Sequence, residues 1–360
     1  MCARASWTGC TCPNSPDRSR FGTGVLETVR HLFPNWISTE NHQPSVEEKS
    51  EKSVLKQMLP EGPWQPLVFD VPHSGREYPG DFGSILPEAK LRYGEDAYVD
   101  ELITDAPALG IPVLAARFPR TYLDPNRSPD DLDPDLLSEP WPGADVTLDE
   151  WAEMGVQSLQ PSIKSRRGIG LIWEGFAAGG VLYDRRLAPV EVFRRIQNCH
   201  LPYHATLDEW FQRLRSDFSS IWHVNWHSMK SRGNQHTPDK PGTLRPDIVL
   251  GDLHGTACAP EFTSLVREVL TDLGYDVSVN DPYAGAWILQ RCSAPEQGIH
   301  SLQIEIRRDL YMDEATLECH KGFSRLQKDL FRLMVQMKEF ADEQLNRKTR
   351  GRSTGELFNP

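Results

Sequence analysis

The 360-residue chain carries 39 basic and 51 acidic side chains, a formal charge of −12; net negative charge attracts neither nucleic acid nor an anionic membrane surface. Its apolar content of 39% supplies a sizeable core, enough for one large domain or two ordinary ones. No run of about 18 apolar residues marks a transmembrane helix, while a small anionic substrate stays compatible, because a local arginine pocket outweighs the global field.

Residues 1–60 differ from the rest. They are rich in Ser, Pro, Asn and Thr and turn charged at Glu47-Glu48-Lys49-Ser50-Glu51-Lys52, which reads as a disordered extension. The arginines of the first 35 residues weakly resemble an organelle transit peptide, against which stand Asp17, Glu27 and a poor amphipathic pattern. Seven cysteines are scattered, with Cys2, Cys10 and Cys12 in the extension. The odd count and the lack of a disulfide pattern point to a reducing, cytoplasmic setting.

From Trp64 onward strand-like and helix-like segments alternate, the signature of an α/β sheet. Leu67–Pro72 reads as a buried strand running into His73-Ser74-Gly75. A helix is expected over Pro87–Leu109 and a strand over Ile111–Ala116. Ser128–Gly143, crowded with Asp and Pro, reads as a loop. Pro189–Phe218 has helical spacing, and Ile221–Trp226 is a second buried strand running into His227-Ser228. A short strand is expected at Asp247–Leu250, a helix over Ala259–Leu273 and a strand near Tyr275–Val279. Ser301–Ile306 reads as a strand, and Phe323–Leu345 as an amphipathic helix with Leu326, Leu330, Leu333, Met337 and Phe340 on one face. No dinucleotide fingerprint, phosphate-binding loop or serine elbow occurs.

Ligands of open α/β sheets bind beyond the carboxyl ends of the strands. His73 and His227 stand at two such ends, and Glu305 places a lone carboxylate inside the apolar run Ser301–Ile306. Two imidazoles and a carboxylate at one sheet edge suggest a metal hydrolase, with Zn2+ or another divalent metal as cofactor. Period two along the strand puts His223, Asn225 and His227 on one side, His223 lying deeper. A third ligand is required, and Glu77, Asp96 and Asp100 are the carboxylates at hand. Glu305, costly to bury unpaired, is the candidate general base, with Arg307 as the alternative ion-pair partner. Asn126-Arg127 and Arg291 are candidate binders of a substrate carboxylate, since guanidinium grips it in a bidentate fork.

These segments together resemble the N-formylglutamate amidohydrolase family. The resemblance is carried by Val71-Pro72-His73-Ser74-Gly75, by Asp96 in Gly94–Asp100 and by Asp124-Pro125-Asn126-Arg127. It continues through Asn225-Trp226-His227-Ser228-Met229, Gly251–Thr256, Asp281–Gly285 and Gln303–Met312. It spans residues 66 to about 335. Pro125 and Ala284-Gly285-Ala286 depart from the pattern, and the first 60 residues have no counterpart.

The resemblance implies a mixed sheet between helices, in three layers and distantly similar to the zinc carboxypeptidases. The implied architecture is one catalytic domain over 61–346, with a flexible tail over 347–360. It implies His73, Asp96 and His227 as metal ligands, Glu305 as the base, and Asn126, Arg127 and Arg291 as substrate-binding residues. The implied reaction is hydrolysis of N-formyl-L-glutamate to formate and L-glutamate, as in histidine breakdown. Two alternatives remain at this point: an amidase or carboxypeptidase for another acidic N-acyl compound, and a silent protein that binds a small anion. The sequence does not fix an oligomeric state.

Overall fold

A seven-stranded mixed sheet organises the chain, in the order β1-β3-β2-β4-β7-β5-β6. The computed structural model describes residues 53–142, 156–176, 180–235 and 237–355, with side chains through 344. The expected extension lies outside the described residues as far as Lys52, together with Cys2, Cys10 and Cys12. The strands are β1 (Leu55–Met58), β2 (Leu67–Val71), β3 (Val113–Ala116), β4 (Ile221–Met229), β5 (Ile248–Gly251), β6 (Val277–Val279) and β7 (Ile299–Arg307). β3, β2, β4 and β7 run parallel; β1 is antiparallel to β3, and β5 is antiparallel to β7.

Side-chain parity separates the two faces of this sheet. Phe69, Val71, Trp222, Val224, Trp226, Leu302, Ile304 and Ile306 share one core cluster. They pack there with Phe262, Val266 and Leu270 of one helix and Leu326, Leu330, Leu333 and Met337 of the C-terminal helix. The alternate residues are polar. Asp70 pairs in register with Asn225, Asn225 with Gln303, His223 with Ser301 and His227 with Glu305. The second face of the central strands is therefore a ladder of buried polar side chains.

The longer helices are α1 (Pro189–Arg195), α2 (Leu201–Asp217), α3 (Pro260–Asp272), α4 (Trp287–Cys292) and α5 (Gly322–Gly355). α2 covers the polar face, where Tyr203 donates to Asp70 at 2.6 Å and Phe211 lies edge-on to His223. Helices on both faces complete the expected three-layer α/β class. A π turn, Ile196–His200, joins α1 to α2. Pro202 has no N–H to close the preceding turn, which lets that turn widen.

Three expectations on elements change. The helix expected over Pro87–Leu109 breaks into turns at Glu88–Leu91, Arg92–Gly94, Val99–Leu102 and Ala106–Leu109. Tyr98 takes a left-handed φ of 66° there, and Gly94 packs so tightly that a Cβ would sit 2.7 Å from Thr121. A strand also forms ahead of the boundary expected at residue 60. Leu55–Met58 is an edge strand on β3, anchored further by the Lys56–Asp100 ion pair at 2.6 Å. The C-terminal helix continues to Gly355, past the boundary expected at 346.

Candidate active site

The turn after β2 fixes the first histidine. A Cβ on Gly75 would fall 2.1 Å from the carbonyl oxygen of Phe118, so only glycine fits and the chain turns sharply behind His73. The Asp96 amide donates to the His73 carbonyl at 2.9 Å, and Ser74 Oγ donates to the Asp96 carbonyl at 2.9 Å. The broken helical segment is thereby stitched to the tip of β2, which carries Asp96 to His73.

His73, Asp96 and His227 are 1%, 1% and 3% exposed, and their ligand atoms all lie within 4.8 Å of one another. One carboxylate oxygen, Asp96 Oδ2, lies 3.3 Å from His73 Nδ1 and 2.9 Å from His227 Nδ1. The far nitrogens are committed elsewhere. His73 Nε2 donates to Asp124 Oδ1 at 2.7 Å, and His227 Nε2 donates to Asn225 Oδ1 at 2.6 Å. Both Nδ1 atoms therefore face the same carboxylate oxygen. Such a cluster could hold a cation, and two imidazoles with one carboxylate suit zinc.

Charge around the cluster is balanced by arginine. Asp96 Oδ1 accepts from Arg308 at 2.8 Å and lies 3.5 Å from Arg120. Burial pushes the Asp96 carboxyl up, but His227, His73 and Arg120 outweigh it and hold it well below the usual range. Asp124 is likewise driven up by burial, and Arg120, His73 and Arg127 hold it well below. Glu305 behaves oppositely. Burial raises it and Asp96 adds to the rise, against the lowering by His227, Arg120 and Arg308. Its carboxylate accepts from Gln303 Nε2 at 3.1 Å. Arg307 does not pair with it, being held instead by Asp247 and Asp309 at 2.8 and 2.6 Å.

A cavity of about 760 Å³ opens over this cluster, lined by His73, Asp96, His227, Asn126, Arg127 and Glu305 among others. Asn126 Oδ1 accepts from the Ile288 amide at 2.9 Å, which points Nδ2 toward His227. Arg127 is anchored by its own chain, Nη1 donating to the Asn126 carbonyl at 2.8 Å. Lys164 stands exposed to the cavity, and the guanidinium of Arg127 together with partial burial brings its ammonium down to about 8.

Arg291, expected among the substrate-binding residues, is absent from the cavity wall. It forms a two-pronged ion pair with Asp208 at 2.8 and 2.5 Å. Of the alternative carboxylates, Glu77 pairs with Arg117 at 3.0 Å and Asp100 with Lys56; neither joins the histidines. Arg120, Asp124, Lys164 and Arg308 were not singled out from the sequence. Arg120 follows a parallel strand, so the rule that led to His73 and His227 applies to it too.

A family model described as N-formylglutamate amidohydrolase matches residues 65–312. Among curated relatives, the N-formylglutamate deformylase of Pseudomonas aeruginosa is 27% identical over 253 residues, covering 69% of this chain and 83% of its own. That of Pseudomonas putida is 27% identical over 251 residues, covering 69% and 82%. Among solved structures, N-formylglutamate amidohydrolase from Ralstonia eutropha JMP134 is 41% identical with a TM-score of 0.73, covering 82% of this chain and 99% of that one.

Proposed function

The chain belongs to the N-formylglutamate amidohydrolase family and is a hydrolase of linear amide C–N bonds; from that premise we propose that it is a metal-dependent enzyme cleaving N-formyl-L-glutamate to formate and L-glutamate. The observation that carries the reading is the shared carboxylate oxygen of Asp96, faced by the Nδ1 atoms of His73 and His227 at 3.3 and 2.9 Å. Zinc held by these three residues would act as a Lewis acid, polarising a carbonyl oxygen and lowering the pKa of water.

The chain's own residues supply the rest. Glu305 lies opposite His227 in the strand register and faces the cavity. Its raised carboxyl takes a proton from the attacking water and passes it to the leaving nitrogen as the C–N bond breaks and a C–O bond forms. Arg127 and Asn126 Nδ2 hold a substrate carboxylate and so fix the amide above Glu305. Arg120 and Arg308, already paired with Asp96, keep the site electrically compensated before substrate arrives.

The test is formate release by purified protein. N-formyl-L-glutamate should be turned over at a kcat on the order of 1 per second or more, and N-formyl-L-glutamine much less well. Equal turnover of both would discard the acidic substrate and leave a general deformylase.

A further inference from the structure

Two buried histidines outside the catalytic cluster grip the loop that carries Asn126 and Arg127. His200 Nε2 lies 2.9 Å from the Arg127 carbonyl oxygen, and His204 Nε2 lies 2.9 Å from the Pro125 carbonyl oxygen. A carbonyl accepts only, so each Nε2 carries the proton. The carbonyl between them, that of Asn126, accepts from Arg127 Nη1 at 2.8 Å. Three successive carbonyls of an irregular segment are thus each held by a side-chain donor.

The two rings form one unit. Their centroids are 4.5 Å apart, and Trp287 lies 5.2 Å from His200 and 4.6 Å from His204. Trp287 begins α4, whose next residue, Ile288, donates its amide to Asn126 Oδ1. Asn126 is therefore held through its side chain by α4 and through its flanking carbonyls by the histidines. The π turn ending at His200, with Pro202 just beyond, sets the phase that brings both rings under the loop.

Packing alone does not account for histidine here. Both side chains are buried, and the Nδ1 atom of each has no hydrogen-bond partner among the described residues. An apolar residue of similar volume would fill the space without two orphaned acceptors. Burial keeps both rings neutral, His200 held down to about 4 and His204 well below its ordinary value, so each offers a single N–H donor at working pH.

We propose that His200 and His204 are positioning residues for the substrate carboxylate, holding residues 125–127 so that Asn126 and Arg127 meet it in register. This rests on the reading above, in which Asn126 and Arg127 bind that carboxylate.

The test compares His200→Leu and His204→Leu, which fill space without a donor, with His200→Gln and His204→Gln, which keep one. The readouts are KM and kcat for N-formyl-L-glutamate, calorimetric affinity for L-glutamate and bound zinc. The Leu variants should raise KM and weaken L-glutamate binding by roughly 10- to 100-fold, with kcat within about threefold and zinc unchanged, and the Gln variants should recover most of the loss. Leu variants that cleave with wild-type KM, or Gln variants as impaired as Leu with kcat falling in parallel, overturn the proposal and leave the function standing. A wild-type protein that neither cleaves N-formyl-L-glutamate nor binds L-glutamate overturns both.

Discussion

His227 Nε2 lies 2.6 Å from Asn225 Oδ1, and that contact decides which nitrogen of His227 is free for the site. The Asn225 amide cannot be reversed without loss, because its Nδ2 donates to Asp70 Oδ1 at 2.8 Å. Asp70 is itself fully buried and also accepts from Tyr203 and His223 at 2.6 and 2.8 Å. Burial alone would raise its carboxyl; His223, Tyr203 and Asn225 bring it below its ordinary value. A charge deep under the sheet thus orients an amide, and the amide orients a histidine.

Asn225→Ala should therefore weaken zinc binding by about 10- to 100-fold, as loss of partners behind metal ligands typically does. A competition titration against a chromophoric chelator measures it. An unchanged affinity would mean that Asp96 alone orients the ring.

Glu305→Gln keeps the shape and the Gln303 contact while removing the base. We expect kcat to fall by roughly 10²- to 10⁴-fold with metal stoichiometry unchanged. A variant with near-normal kcat would rule Glu305 out of proton transfer.

Lys164 gives the site a pH signature. Its ammonium titrates at about 8, below the ordinary lysine value. It is charged below that pH and neutral above it, so its help in binding an anion is present at neutrality and lost on the alkaline side. kcat/KM, which reports the free enzyme, should decline above pH 8 for the wild type. In Lys164→Met the profile should lie lower at pH 7 and lack that decline.

The N-terminal boundary predicts a difference between two truncations. A chain starting at Ser53 retains the edge strand Leu55–Met58, its pairing with β3 and the bond from Arg117 Nε to the Leu55 carbonyl. A chain starting at Glu61 loses all three and exposes the flank of β3. Its Tm should be lower by about 5 °C or more, since each kcal/mol shifts a domain of this size by roughly 2–4 °C. Equal melting temperatures would make β1 dispensable.

Period two alone put His223, Asn225 and His227 on one side, and the strand register bears this out. Glu305 stood out as a carboxylate in an apolar run for the same local reason. The broken helix after Pro87 was not legible, because the apolar spacing of that segment is helical and the break is imposed by tight packing at Gly94 against Thr121, Trp173 and Phe176. That break is what brings Asp96 to His73, so the local misreading and the site share one cause. The engagement of Arg291 could not be read from the sequence, since its partner Asp208 lies 83 residues away. Four residues of mixed polarity, Leu-Lys-Gln-Met, were too few to mark β1.

In the proposed function His73, Asp96 and His227 hold a metal required for cleavage. The direct measurement is formate release from N-formyl-L-glutamate before chelation, after removal of metal, and after adding back one equivalent of zinc. Activity should be lost on chelation and restored by zinc in the wild type, and not restored in His227→Ala. Full activity in protein shown to be metal-free would contradict it.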